Sequence, residues 1–266
     1  SRGLGDVYKR QFKEGADVNY KNDNGQWFLF VAVENDNVRM VNLLLEKGVD
    51  VNVTDDYNNT ALLIAVKNGK QDVVKLLLAK GADVNYKNDN GQWFLFVAVE
   101  NGNARIVNLL LEKGVDVNVT NDYNNTALFT AAINGREDVV KLLLEKGADI
   151  NKANIDGETI LMGAINSDEE EVIKILLAYD EEGVRVDLNA RNNNGETALI
   201  RAVENGNTVI FTPLVEAGAD MNIRDNDGNT VLIRASMRGE EWGLGYILDW
   251  LVKPGPDVRS EVYGTN

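Results

Sequence analysis

Residues 15–35 read GADVNYKNDNGQWFLFVAVEN, and residues 81–101 repeat them letter for letter, 66 positions later. Residues 49–66 (VDVNVTDDYNNTALLIAV) and 115–132 (VDVNVTNDYNNTALFTAA) are near copies at the same offset. Self-similarity at a fixed period marks a repeat architecture, so the period has to be settled before any motif is read. It is half of 66. An Asn two residues after an Asp recurs at Asn19, Asn52, Asn85, Asn118, Asn151, Asn189 and Asn222. The spacing is 33 throughout except between Asn151 and Asn189, where five residues are added. Leu29, Leu62, Leu95, Leu128, Leu161, Leu199 and Leu232 keep the same register, and each is followed three residues later by Ala.

Within one unit, Leu62, Ala65 and Val66 fall at i, i+3 and i+4, one face of a helix. Val73, Val74, Leu77 and Leu78 form a second such stripe. Asn68-Gly69 separates the two, and Gly81 follows the second. Glycine suits the left-handed residue that ends a helix. Thr60 stands where a hydroxyl caps the first helix. The polar run between Asp83 and the next helix has turn residues and no helical stripe. Each unit therefore reads turn, helix, turn, helix, and is too small to bury its own apolar face.

A 33-residue turn–helix–helix unit opening on T-P-L-H-x-A resembles the ankyrin repeat. The matching stretches are TALLIA (60–65), TALFTA (126–131), TILMGA (159–164), TALIRA (197–202) and TVLIRA (230–235), with GADVN, GADIN and GADMN at 81–85, 147–151 and 218–222. The resemblance spans about residues 15–252 and implies an all-α solenoid of helix-turn-helix units joined by β-hairpin-like turns. The family's His is absent, since the chain has none; Leu63, Phe96, Phe129, Met162, Ile200 and Ile233 stand in its place. Apolar packing must replace the hydrogen bond that His would make. In two copies Trp27 and Trp93 replace the Thr.

Residues 1–21 read as a leader and a half repeat; 1–11 are either a non-native remnant or the start of an outer helix, with the array continuing N-terminally. Residues 22–253 read as seven repeats with an insertion near 180–187, and 254–266 as a tail. Pro213 is expected to kink or fray its helix. Trp242, Tyr246 and Trp250 fall at i, i+4 and i+8 on the last helix, as packing for the end of the stack.

The chain carries a net charge of −15 and no Cys or His. That excludes Ser–His and Cys–His catalysis and the ordinary zinc sites. A surface this acidic disfavours nucleic acid and anionic membranes. The Asp/Asn/Gly runs fail calcium-loop spacing. No cofactor or metal is expected, and no enzyme. What is left is recognition by a non-catalytic scaffold, a monomer. The resemblance places partners along a concave face made from the turn tips and the exposed side of each first helix. Carried over position by position, that face includes Asp23, Gln26, Asp56, Tyr57, Asp89, Gln92, Asp122, Tyr123, Glu158 and Glu196 at the tips. Glu34, Lys67, Glu100 and Glu204 fall on the first helices, and Trp27 and Trp93 at the edge. Trp and Tyr beside Asp and Glu suit a basic protein or extended peptide, held by cation–π and ionic contacts. The competing reading makes both Trp rings core filler. An alternative for the whole chain is a structural spacer of a longer ankyrin protein whose activity lies elsewhere.

Overall fold

The structure is a computed structural model that describes residues 18–19, 27–87, 93–238 and 245. Among them are thirteen helices and no sheet. The half repeat and leader (apart from Val18 and Asn19), the tail, and Trp242, Tyr246 and Trp250 lie outside the described residues. The chain divides into two compact units: residues 1–131 with 136–149, and residues 132–135 with 150–266.

In the first unit, seven-residue helices α1 (Phe28–Glu34), α3 (Ala61–Lys67) and α5 (Phe94–Glu100) alternate with nine-residue helices α2 (Val38–Glu46), α4 (Gln71–Ala79) and α6 (Ala104–Glu112). Helix α7 (Ala127–Ile133) follows, its first five residues in this unit and its last two in the second, and then α8 (Glu137–Glu145) in the first. Short helix packs on the long helix of its own pair at α1 on α2, α3 on α4 and α5 on α6. Short helix also packs on short helix (α1 on α3, α3 on α5), and long on long (α2 on α4, α4 on α6, α6 on α8). The second unit repeats the plan with α9 (Ile160–Asn166), α10 (Glu170–Ala178), α11 (Ala198–Glu204), α12 (Thr208–Glu216) and α13 (Val231–Met237).

The sequence stripes are the packed faces. Leu62, Ala65, Val66, Val73, Val74 and Leu77 are all buried. Ala65, with no atom beyond Cβ, lets α3 lie close to its neighbours. The residues in place of His behave as apolar packing at Leu63, Phe96, Phe129, Met162 and Ile200, all buried; Ile233 on α13 is partly exposed. Thr60, Thr126, Thr159 and Thr197 each accept the N–H three residues on, at 3.1–3.4 Å, capping their helices. Gly81 has φ +87°, the left-handed stop its position called for.

The recurring D-x-N explains itself in the hydrogen bonds. Asp50, Asp116, Asp187 and Asp220 accept the N–H of the Asn two residues on, folding a tight turn. The Asn then reaches forward. Asn52 Oδ1 accepts from Asp83 N at 2.9 Å, Asn118 from Asp149, Asn151 from Asp187 and Asn189 from Asp220. At these four positions one side chain ties a module to the next.

Two features differ from a plain repeat. The insertion folds as a small hairpin with a Glu181–Val184 bridge, turning through Glu182 and Gly183, both at positive φ. An Arg185–Asp180 ion pair closes it. The hydrogen bond from Asp187 to Asn151 survives, so the extra residues leave the module-to-module tie intact. Pro213 does not fray its helix as expected from sequence: α12 continues to Glu216. The bond that Pro213 cannot make is to the carbonyl of Val209, an exposed residue, while buried Phe211, Leu214 and Val215 anchor the helix around it.

Candidate protein-interaction face

The tips of the first unit are built by one side chain each. Asp55 Oδ1 accepts the N–H groups of Tyr57 (2.9 Å) and Asn59 (2.8 Å). Asn58 takes φ +56°, which Asn tolerates, and Thr54 bridges Thr60 across the base. Two repeats on, Asn121 replaces Asp55 with the same oxygen. It accepts from Tyr123 and Asn125 at 3.0 Å, Asn124 takes φ +57°, and Thr120 bridges Thr126. The result is a pair of tyrosines held at turn apices, Tyr57 70% and Tyr123 65% exposed. Asp56 and Asp122 beside them are exposed too; Asp122 pairs with Lys87 at 2.9 Å.

Trp27 and Trp93 occupy the extended residue before α1 and α5, where Thr60 caps α3, and neither side chain caps its helix. Both are half-buried. Trp27 Nε1 donates to the carbonyl of Thr54 at 2.8 Å, fixing the ring against the base of the next tip. Tyr86 stacks on Phe94 at 6.5 Å between centroids, covering the start of α5. Glu34, Lys67 and Glu100 end α1, α3 and α5 and are exposed. Asp23, Gln26, Asp89 and Gln92 lie outside the described residues.

In the second unit the acidic positions are engaged differently. Glu158 and Glu196 are 9% and 7% exposed and turn inward onto Arg201, whose Nη2 lies 2.6 Å from Glu158 and 3.0 Å from Glu196. Asn192 Nδ2 donates to both carboxylates at 2.8 Å. These two glutamates, expected from sequence on a partner-binding surface, spend their charge inside the unit. Glu204 is half-buried and 3.1 Å from Arg234, which also holds Asp225 and Asp227. Arg201 and Arg234 stand one period apart at the same helix position, where α3 carries Ile64. That pairing of an Arg with acidic tip residues was the available signal, and the family pattern alone does not carry it.

Two of the three acids on Arg234 respond to pH in opposite senses. Burial raises the Glu204 carboxyl, with Glu196 adding to it, above the ordinary 4.5. Its ionisation therefore costs stability at neutral pH, and acidification toward 4.5 relieves that cost. Burial also pushes Asp225 up, but the Asn229 N–H and Arg234 outweigh it and hold it below the ordinary 3.8. Its stabilisation is complete above pH 3.8 and is lost as pH falls further. The expected outcome is that Asp225→Asn flattens the loss of stability below pH 3.8, whereas Glu204→Gln changes the slope above pH 4.5. Urea midpoints measured from pH 3 to 7 check both.

A family model described as ankyrin repeats (3 copies) matches residues 1–88, 95–188 and 161–261. The crystal structure of the ankyrin repeat domain of Bcl-3, a member of the IκB family, aligns with a TM-score of 0.73 and 27% identity, covering 84% of this chain and 99% of that one. The human ASB11 ankyrin repeat domain aligns at 0.70 and 24% identity, covering 87% and 99%, a likeness of fold. No curated protein sequence matches. Among the described residues no helix is long and apolar enough to cross a membrane. The chain belongs to the ankyrin-repeat family, whose fold is a non-enzymatic protein-interaction module.

Proposed function

We propose that the chain is a non-catalytic scaffold that takes an extended, basic segment of a partner protein on the tip-and-first-helix face of the first unit. The observation that carries this is the pair of exposed tyrosines on hydrogen-bonded tips, each with an exposed Asp beside it. Tyr normally hides most of its ring, and a rigid, exposed aromatic offers contact area at little entropic cost. A cation over such a ring gains about 0.5–1 kcal/mol at an exposed site. One contact is weak, so binding requires several in a row, and the sequence duplication supplies them at Tyr57, Tyr123 and the two half-buried Trp edges. The chain's net charge of −15 steers a basic partner and makes association salt-dependent.

Fluorescence anisotropy with a labelled basic peptide, (RGSK)3, tests the role of the indoles. Trp27→Thr with Trp93→Thr should weaken binding several-fold while the helical signal stays, since Thr is the capping residue of the neighbouring repeats. Unchanged affinity would assign both rings to packing alone.

A further inference from the structure

The ends of the first helices in the first unit carry a charge row that alternates. Glu34, Lys67 and Glu100 are the last residues of α1, α3 and α5, and all three are exposed. These helices pack side by side in that order, so residues 33 apart fall at one register. The row is held in place. Asn101 Nδ2 donates to the Lys67 carbonyl at 3.1 Å, and Arg136 Nη2 to the Glu100 carbonyl at 2.8 Å. Of the other charges flanking it, Asp36 and Lys70 lie 3.9 Å apart and offset each other, and Arg136 adds a cation at the Glu100 end.

We propose that the row Glu34–Lys67–Glu100 selects, from the basic segments the face accepts, those carrying basic, acidic and basic side chains at every third residue. This rests on the reading of that face as the partner site. Packed helices lie about 8–10 Å apart. A β-strand advances about 10 Å in three residues but turns residue i+3 to its opposite side. A polyproline-II chain has three residues per turn and rises about 3.1 Å per residue, so residues i, i+3 and i+6 share one side about 9 Å apart. The helix spacing therefore fits a polyproline-II segment of the form K/R-x-x-E/D-x-x-K/R, the first cation on Glu34, the acid on Lys67 and the second cation on Glu100. The reverse chain direction satisfies the same pattern. Lys67 is what gives the site an order, because without it any run of positive charge fits equally.

The probes are two isomeric peptides of equal net charge, GKGSEGSKG and GKGSKGSEG, titrated at low salt into the isotope-labelled full chain and followed by amide shifts. The first should bind about fivefold tighter, as two exposed ion pairs are lost in the second. It should shift the amides of Glu34, Lys67 and Glu100. Lys67→Glu should abolish that preference and favour GKGSKGSKG instead. Equal affinity of the two isomers, or no shift along the row, overturns the inference. If both peptides shift Tyr57 and Tyr123 alike while the row stays silent, the face still binds basic segments but this row does not select among them. If neither peptide moves the tips or the row, the inference fails together with the reading it rests on.

Discussion

Leu62→Ala lowers the stability of the first unit by about 2–5 kcal/mol, the range for a large-to-small change in a core that collapses only partly. Leu62 is 1% exposed on α3, and α3 packs against α1, α4 and α5. The lost methyls therefore leave space at the junction of three modules. In a repeat array stability is a sum of module and neighbour-interface terms, so one truncation weakens more than one module. The equivalent Leu128→Ala, also 1% exposed, is expected to fall in the same range. Urea unfolding followed by far-UV circular dichroism checks both; a change under 1 kcal/mol would mean the packing between modules is not what holds them.

Arg201→Ala costs the second unit about 3 kcal/mol. Removing one member of a buried ion pair strands its partner, with typical penalties of about 3–5 kcal/mol. Arg201 leaves 24% of its side chain in solvent, which places the cost at the low end. Here two carboxylates, Glu158 and Glu196, lose their cation at once, leaving the Asn192 amide shared between them and Asn166 Nδ2 donating to Glu158 at 3.3 Å. The intact cluster is less valuable than this penalty suggests, because Arg201 Nε is buried without a partner. The triple variant Arg201→Met, Glu158→Gln, Glu196→Gln should therefore recover most of the loss, as replacing a whole buried ionic group often does. Denaturation midpoints of the single and triple variants separate the two effects.

The repeat was legible because its determinants are local. Thr at the cap, Ala on the close-packed face, Gly at the helix ends and D-x-N at the turn each act within a few residues or through one side chain. The exposure of Tyr57 and Tyr123 followed from tip positions shared by every copy. The fates of Glu158 and Glu196 were not legible in that way. The tip position that holds Asn59 and Asn125 in the first unit holds Glu158 and Glu196 in two copies of the second, and Arg201 at the fourth position of α11 draws both inward. Whether a charge faces solvent or a neighbour depends on a partner several to 43 residues away. The continuity of α12 through Pro213 likewise depends on tertiary packing of Phe211 and Leu214, which a propensity argument leaves out.

The most direct test of the partner-docking account is the affinity of (RGSK)3 for the quadruple variant Asp56→Asn, Tyr57→Ala, Asp122→Asn, Tyr123→Ala. Asp55, Asn58, Asn121 and Asn124, which shape the tips, are untouched, so the fold should persist. The account predicts at least a tenfold rise in Kd with an unchanged circular dichroism spectrum. An unchanged Kd in a folded variant would contradict it.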